Sequence, residues 1–356
     1  MKGLILAGGN GTRLRPLTHT GPKKLIPIAN KPNILYCLED LRDAGITDIG
    51  VILGNNMPEK VRELLKDGSD HGVRITYIEQ GDPKGIAHAV GCAEEFMAGE
   101  PFVVYLGDNI LQGGIRYMVD EFTAGDIEAL IALTPVSDPT KFGIVEVDSD
   151  GGIVSLEEKP KRPRSNLAMV GIYFLRSSIF PIIRQLKPSW RNELEITDAI
   201  AMLHQSTGKV VARQVKGWWK DTGRPEDIIQ ANRMVLDEMR GKVEGTVEEG
   251  ARLEGEVTIG SGTIVRSGSV ISGPTIIGRN CIIGPGSRIG PYTSIGDECQ
   301  IDNGDVEASI IMSRTTISCG MRIVDSLIGS GCVIESQKAG KEGLCLVLGE
   351  NSQMKA

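Results

Sequence analysis

From Val247 onward an aliphatic residue recurs at every sixth position: Val247, Leu253, Ile259, Val265, Ile271, Ile277, Ile283, Ile289, Ile295 and Ile301. Few patterns restrict a fold this tightly. A spacing of six does not keep to one face of a 3.6-residue helix, whereas three hexapeptides can close one triangular coil whose inward corners carry the aliphatic side chains. Four places after each of the first nine stands Ala251, Val257, Thr263, Ser269, Thr275, Cys281, Ser287, Thr293 or Cys299, and glycine follows the aliphatic position at 260, 278, 284, 290 and 296. This is a hexapeptide repeat. After Ile301 the phase slips, resumes at Ile311, Ile317 and Ile323, and shifts again to Ile328 and Ile334. A loop-out is expected over 336–343, then a last hexad, "LGENSQ" (348–353). Cys281 and Cys299, one coil apart, are expected to stack at about the 4.8 Å strand spacing as packed thiols.

The repeat occupies only the last third of the chain, and the aromatic residues mark where it begins. Every Phe, Trp and Tyr except Tyr292 precedes residue 243, which implies two cores of different material. We expect domains of 1–241 and 242–356. Seven cysteines without a CxxC and four scattered histidines indicate neither a disulfide framework nor a zinc site. A net charge of −7 leaves no basic nucleic-acid footprint. No apolar run approaches the roughly 18 residues of a membrane span, and "MKGLILAGG" is too short for a signal peptide. The expectation is a soluble cytoplasmic protein that uses neither nucleic acid nor membrane as a partner.

In the first domain, short β-branched runs alternate with helix-period segments. Strands are expected at 2–6, 48–53, 73–78 and 101–106, with helices at 34–45, 58–66 and 86–98. That alternation predicts a mostly parallel sheet covered by helices on both faces. In such sheets ligands collect beyond the carboxyl ends of the strands, which directs attention to the loops after Leu6, Ile78 and Leu106.

The first of these loops is "GGNGTR" (8–13). A dinucleotide fingerprint would need glycine where Leu14 stands, and a Walker A loop would need GK[ST], which is missing. What remains is a glycine turn whose backbone N–H groups can face phosphate oxygens, with Arg13 as a bidentate donor. On composition alone an ordinary tight turn stays open.

Eleven residues further, "PKKLIP" (22–27) follows, and then "LGDN" (106–109), "FGIVEVD" (142–148), "LEEKP" (156–160), "NELEITD" (192–198) and "WKDTG" (219–223). In this order the motifs resemble the sugar nucleotidylyltransferases, and with the C-terminal hexapeptides the long class of glucose-1-phosphate thymidylyltransferases. The resemblance covers the whole chain. It implies an α/β, Rossmann-like nucleotidyltransferase domain with a mixed, mostly parallel sheet, followed by a left-handed parallel β-helix.

The resemblance also implies roles. Leu6, Ala7, Gly8, Gly9, Gly11, Thr12 and Arg13 would wrap the nucleotide phosphates, Arg13 meeting the departing pyrophosphate, and Lys23 would contact the reacting centre. Lys24 stands where relatives often have glutamine. Gln80 and the backbone of Gly85 would read the pyrimidine edge; His88, which replaces a common glutamine, is expected to pack within its helix. Gly143, Glu158 and Val170 would hold the sugar, while Lys159 and Arg191 would grip its phosphate. Asp108 and Asp221 would bind Mg²⁺, Asp108 also lying at the nucleotide. Relatives often carry leucine where Lys220 stands.

The implied reaction joins glucose-1-phosphate to dTTP by in-line attack on the α-phosphorus. An already ionised phosphate needs no general base, in keeping with the lack of an obvious catalytic histidine. Three alternatives stay open: use of UTP, since thymine and uracil share the edge read by Gln80; an acyltransferase activity of the β-helix, as in bifunctional relatives; and a non-catalytic assembly subunit. Against the second, the segment is acidic, has no histidine after His204 and has no long insertion; against the third, Arg13, Lys23, Asp108, Lys159 and Asp221 are all present. Flat coil faces lead us to expect a homo-oligomer.

Overall fold

The computed structural model describes the backbone of residues 1–355, and the side chains of all of these except 337–342. By backbone contacts the chain forms two compact units, one of Met1–Asn10 with Ile34–Asp221, the other of Gly11–Asn33 with the chain from Thr222 onward. The contact division therefore does not coincide with a linear cut at 241/242. Gly11–Asn33 and the helix Pro225–Glu238 pack within the unit that also contains the repeats.

The first unit is built on β1 (Lys2–Leu6), β2 (Asp48–Leu53), β3 (Arg74–Glu79), β4 (Phe102–Leu106), β5 (Asn109–Leu111), β6 (Ala129–Pro135), β7 (Gly143–Val147), β8 (Ile153–Glu158), β9 (Leu167–Leu175), β10 (Val210–Gln214) and β11 (Trp219–Asp221). The main sheet runs β8-β7-β9-β4-β1-β2-β3, with β6 also on β9 and β10 on β6. Strands β3, β2, β1 and β4 are mutually parallel, Ile5 lying opposite Val51 on one side and Tyr105 on the other. Antiparallel β9 then makes the sheet mixed. β1, β2 and β4 are buried almost throughout, as parallel strands covered on both faces must be.

Helix α1 (Asn33–Asp43) lays Ile34, Leu38 and Leu41 on one face, and the Tyr105 hydroxyl donates to Asp40 Oδ2 at 2.7 Å. The other face is covered by α2 (Ile86–Gly91), α3 (Ile179–Ile183) and α4 (Ile196–Thr207), with Phe180 stacked on Phe102 at 5.5 Å. The helix expected over 86–98 is broken. It stops at Gly91, and a separate turn, Glu94–Met97, follows a bend in which Ala93 N–H bonds back to Val90 O instead of continuing the α-helical ladder. The strand expected at 73–78 runs one residue later, because Arg74 N–H pairs with Thr47 O.

The repeats form a parallel β-helix of the left-handed kind that the hexapeptides imply. Ile264 pairs with Ile282 and Ile282 with Gln300, a rise of one coil every 18 residues. Ile259, Val265, Ile271, Ile277, Ile283, Ile289, Ile295 and Ile301 are buried together, with Thr263, Ser269, Cys281, Ser287 and Thr293 filling the corners. Each fully buried aliphatic side chain contributes about 1.5–3 kcal/mol. Hydroxyls at corners are satisfied along the stack: Thr263 Oγ1 donates to Gly278 O at 2.6 Å and Ser269 Oγ to Gly284 O at 2.7 Å.

The phase slip after Ile301 has a simple cause. Val306 takes the next inward corner, opposite Ile289, and the coil shortens there to 17 residues. The 336–343 segment is not a free loop; its backbone belongs to the strand Val333–Leu344, whose pairing with Thr316–Val324 absorbs the extra residues as two register shifts. Leu348 and Met354 then pair with Ile328 and Ile334, completing the last hexad. Cys281 and Cys299 are buried free thiols on adjacent coils, and their contact together with burial pushes the Cys299 thiol well up. No helix among the described residues is long and apolar enough to cross a membrane.

Candidate active site

The first strand ends in a glycine turn whose shape Gly9 sets. Ala7 N–H donates to Ile52 O at 2.9 Å, and the chain then passes so close to the end of β2 that a Cβ on Gly54 would lie 3.1 Å from Gly8 Cα, while a Cβ on Gly8 would meet the tip of the Gln80 side chain at 2.8 Å. Gly9 has φ 95°, a conformation that L side chains rarely adopt. Leu6 and Ala7 are buried behind this turn, so they can offer only backbone.

Gln80 leaves the end of β3 and reaches back to its own loop. Its Nε2 donates to Gly85 O at 3.4 Å and lies 3.3 Å from His88 Nδ1. Gly85, at φ 105°, passes where a Cβ would lie 2.5 Å from Leu194 O. Leu194 pins the loop from both sides, with Leu194 N–H on Lys84 O at 2.7 Å and Ala87 N–H on Leu194 O at 3.1 Å. Gln80 thus lies beside both Gly85 and Gly8. His88 does more than pack within its helix: its ring orients Gln80, and burial, then the Lys84 charge, hold its pKa below the ordinary value.

Asp108 and Asp221 are 113 residues apart in sequence and are joined by the small antiparallel pair β5–β11, in which Asn109 lies opposite Asp221. Asp108 is buried and Asp221 half-buried. Asn109 ties this corner down. Its Nδ2 donates to Asp108 Oδ1 at 3.2 Å, and its Oδ1 accepts from Trp219 Nε1 at 2.7 Å and from Gly171 N–H at 3.1 Å. Among the described residues no group of three or more His, Cys, Asp or Glu is arranged to hold a metal. Two hard carboxylates are nonetheless what Mg²⁺ accepts, since it fills its other positions with water and phosphate oxygens, so this donor set fits that ion.

Of the residues expected at the sugar and its phosphate, Gly143, Glu158, Lys159 and Arg191 lie together. Val170 sits where the pairing of β9 lapses, between Met169 and Tyr173, which frees its main chain from the ladder with β6. Gly143 is compelled by its neighbours: a Cβ there would lie 2.6 Å from Thr197 Oγ1 and 3.0 Å from Glu158 Oε2. Thr197 donates to Glu158 Oε2 at 2.7 Å, while Glu158 Oε1 is 3.5 Å from both Lys159 Nζ and Arg191 Nη1. Lys159 is held at φ 46° with its N–H on Phe142 O at 2.9 Å. Arg191 is enclosed by carboxylates, with Glu193 at 2.9 Å and Glu195 at 3.3 Å. Burial, then the neighbouring Glu158 charge, pushes the Asp198 carboxyl up; burial does the same to the Glu195 carboxyl. An open cleft of about 810 Å³ adjoins Glu158 and Lys159, lined also by Lys161, Arg162, Arg164 and Trp190, the last 82% exposed.

The remaining phosphate-loop residues belong to the second unit. Gly11 has φ 59°, and a Cβ there would be 2.9 Å from Thr18 Cγ2 and 3.3 Å from Lys23 Cβ, so the loop and the Lys23 stem lie side by side. Thr18 Oγ1 donates to Gly11 O at 2.8 Å. Thr12 and Arg13 are exposed, Lys23 is half-buried and Lys24 is 3% exposed, so of the lysine pair Lys23 is the one open to a ligand.

Asn109, Thr197 and Glu195 were missed in sequence because polar residues that orient others leave no spacing signal. "LGDN" and "NELEITD" mark the right places, and only their neighbours' contacts assign the roles.

Glycine turns beyond the carboxyl ends of parallel strands β1 and β3, with the buried Asp108 beyond β4 and Lys159 beside Glu158, suit a phosphorylated ligand, and fold and site together define a nucleotidyltransferase. The Nucleotidyl transferase family model matches residues 2–238, and the chain belongs to that family. A second model, the GMPPB C-terminal domain, matches 271–356. The chain is 50% identical to the low-salt glycan biosynthesis nucleotidyltransferase Agl11 of Haloferax volcanii, over 100% of both chains. It is 45% identical to a glucose-1-phosphate thymidylyltransferase of Streptomyces antibioticus over 99% of each. A crystal structure from Bacillus anthracis, assigned as a glucose-1-phosphate thymidylyltransferase and determined with sucrose, superposes with a TM-score of 0.64 at 40% identity, covering 68% of this chain and 98% of that one.

Proposed function

We propose that the chain is a glucose-1-phosphate thymidylyltransferase, converting dTTP and glucose-1-phosphate to dTDP-glucose and pyrophosphate. The observation that carries this reading is Glu158, a carboxylate fixed by Thr197 beside Gly143 and flanked by Lys159. A fixed carboxylate accepts from sugar hydroxyls, and a cation next to it suits the phosphate of the same molecule. The full-length similarity to the Streptomyces enzyme supports the same substrates.

In this reading a phosphate oxygen of the sugar phosphate attacks the α-phosphorus while the bond to the β-phosphate oxygen breaks in line. The attacking group is already ionised, so no proton moves. The N–H groups of the Gly8–Arg13 turn cradle the triphosphate, with Arg13 on the pyrophosphate that leaves and Lys23 at the reacting centre. Lys159 neutralises the incoming phosphate, and Arg191 joins it by exchanging a carboxylate for phosphate. Gln80 and Gly85 read the pyrimidine. Mg²⁺, held by Asp108 and Asp221, would supply charge neutralisation at the phosphates. Catalysis then amounts to bringing two anions together and stabilising the charge that develops. Flat β-helix faces support assembly into a homo-oligomer, which light scattering on the purified chain tests.

Pyrophosphate release over dTTP, UTP, CTP and GTP, crossed with several sugar-1-phosphates, tests the assignment. Preference for dTTP with glucose-1-phosphate is expected. Equal or better use of UTP would move the assignment to a uridylyltransferase, and no release with any pair would overturn it.

A further inference from the structure

Asn232, on the helix Pro225–Glu238, is 1% exposed and joins two parts of the second unit that are far apart in sequence. Its Oδ1 accepts from Ala29 N–H at 2.8 Å and from Ser294 Oγ at 2.7 Å, and its Nδ2 donates to Tyr292 O at 3.1 Å. Next to it Asn30 Nδ2 donates to Ile295 O at 2.6 Å. Tyr292, Ser294 and Ile295 lie along the strand Thr293–Ile295 of the β-helix and the turn before it. Ala29 and Asn30 form the tip of the hairpin Pro27–Ile28/Lys31–Pro32, and both have left-handed backbones, φ 45° and 62°. Such a conformation in alanine persists only where its surroundings over-determine it. Here the fixing contacts come from a β-helix strand and the helix that carries Asn232.

The same hairpin continues directly from Lys23. The turn Lys23–Leu25 closes through Ile26 N–H on Lys23 O at 3.2 Å, and Pro27 follows. Between Arg13 and Lys23, Pro16 passes beside Gly349, so that a Cβ on that glycine would be 3.3 Å from the Pro16 Cβ. The stretch bearing Gly11, Arg13 and Lys23 is therefore tied to the β-helix through Ala29 and Asn30, and passes beside it at Pro16.

We infer that Asn232 and Ser294 are positioning residues for the triphosphate grip: the β-helix sets where Arg13 and Lys23 stand. The inference rests on the assignment of those two cations to the nucleotide. It gives the repeat domain a part in the reaction through rigid support of a catalytic segment.

The test uses the full-length chain with Asn232→Leu, Asn232→Asp and Ser294→Ala, measuring KM for dTTP and for glucose-1-phosphate separately, kcat, Tm, and hydrogen exchange at residues 11–30. Asn232→Leu leaves the Ala29 amide and the Ser294 hydroxyl without their buried partner, a loss large enough to raise the dTTP KM roughly tenfold. The glucose-1-phosphate KM should stay within about twofold, and exchange at Ala29 should quicken. Ser294→Ala, which removes one bond, should give the same pattern more weakly. Asn232→Asp keeps the acceptor for Ala29 and, when protonated, matches the amide; it should recover relative to wild type at pH 6 and lose that recovery at pH 8. An unchanged dTTP KM in both Asn232→Leu and Ser294→Ala would overturn the inference, as would equal rises in both KM values. If the wild type itself releases no pyrophosphate, the functional assignment fails, and the exchange data still decide whether Asn232 holds the segment.

Discussion

Thr197 Oγ1 donates a 2.7 Å hydrogen bond to Glu158 Oε2, across 39 residues of sequence, and so fixes which carboxylate oxygen stays available. The same hydroxyl crowds Gly143, so one short contact sets both the orientation of the acceptor and the space beside it.

Thr197→Val keeps the shape and removes the donor. It should raise the glucose-1-phosphate KM about fivefold to tenfold, the equivalent of about 1–1.5 kcal/mol for one hydrogen bond to a charged group. The dTTP KM should not move, and Thr197→Ser should restore most of the loss. Steady-state kinetics with each substrate varied in turn would check this; an unchanged sugar-phosphate KM contradicts the role.

Lys159→Ala or Asp108→Ala should lower kcat by roughly a hundredfold or more, the scale of removing one preorganised electrostatic partner. For Asp108→Asn, Mg²⁺ titrations should show a higher concentration for half-maximal activity, and chelation should silence the wild type. Full activity in either alanine variant would refute the site.

The neutral His88 ring accepts from Gln80 Nε2 through Nδ1, and its pKa lies below the ordinary 6.5 because of burial first and Lys84 second. The sign follows from linkage. As pH falls from 6.5 toward the lower folded value, the unfolded chain takes the proton first, so stability is lost in that window and stays level below it. Protonation also turns Nδ1 into a donor facing a donor, which frees Gln80. The dTTP KM should therefore rise on acidification below about pH 6.5. Because His88→Gln cannot titrate, its profile should be flatter; identical profiles would exclude His88 as the source.

Ile283 is completely buried in the middle of the β-helix stack. Ile283→Ala should cost about 2–5 kcal/mol, as other large-to-small core changes do. Thermal or urea unfolding would read this, while Ile282→Ala on the outer surface, 37% exposed, should change stability by well under half of that.

Some of these elements can be read directly from sequence. The corner positions from Ile259 to Ile301 follow from spacing alone, and the slip after Ile301 is visible although its filler, Val306, is not. The strand β1 and the glycine turn after it are equally legible. By contrast, Gly11–Asn33 reads as part of the first domain and packs with the second unit, because Ala29 and Asn30 find their partners at Asn232 and Ile295. The acids enclosing Arg191 illustrate the same difficulty. "RNELE" shows the charges, but only the fold of that turn brings Glu193 and Glu195 onto one guanidinium.

Sequence by itself determined the coil of the β-helix, the alternation of the sheet and the motifs that bound the site, because each depends on a period or a turn preference confined to neighbouring residues. Tertiary structure alone decided that Asn109, next to Asp108, lies opposite Asp221, that Thr197 orients Glu158, and that Asn232 holds Ala29 from 203 residues away. Those meetings depend on sheet register and on closing long loops. Both are settled by the burial of the whole core, and no local pattern encodes them.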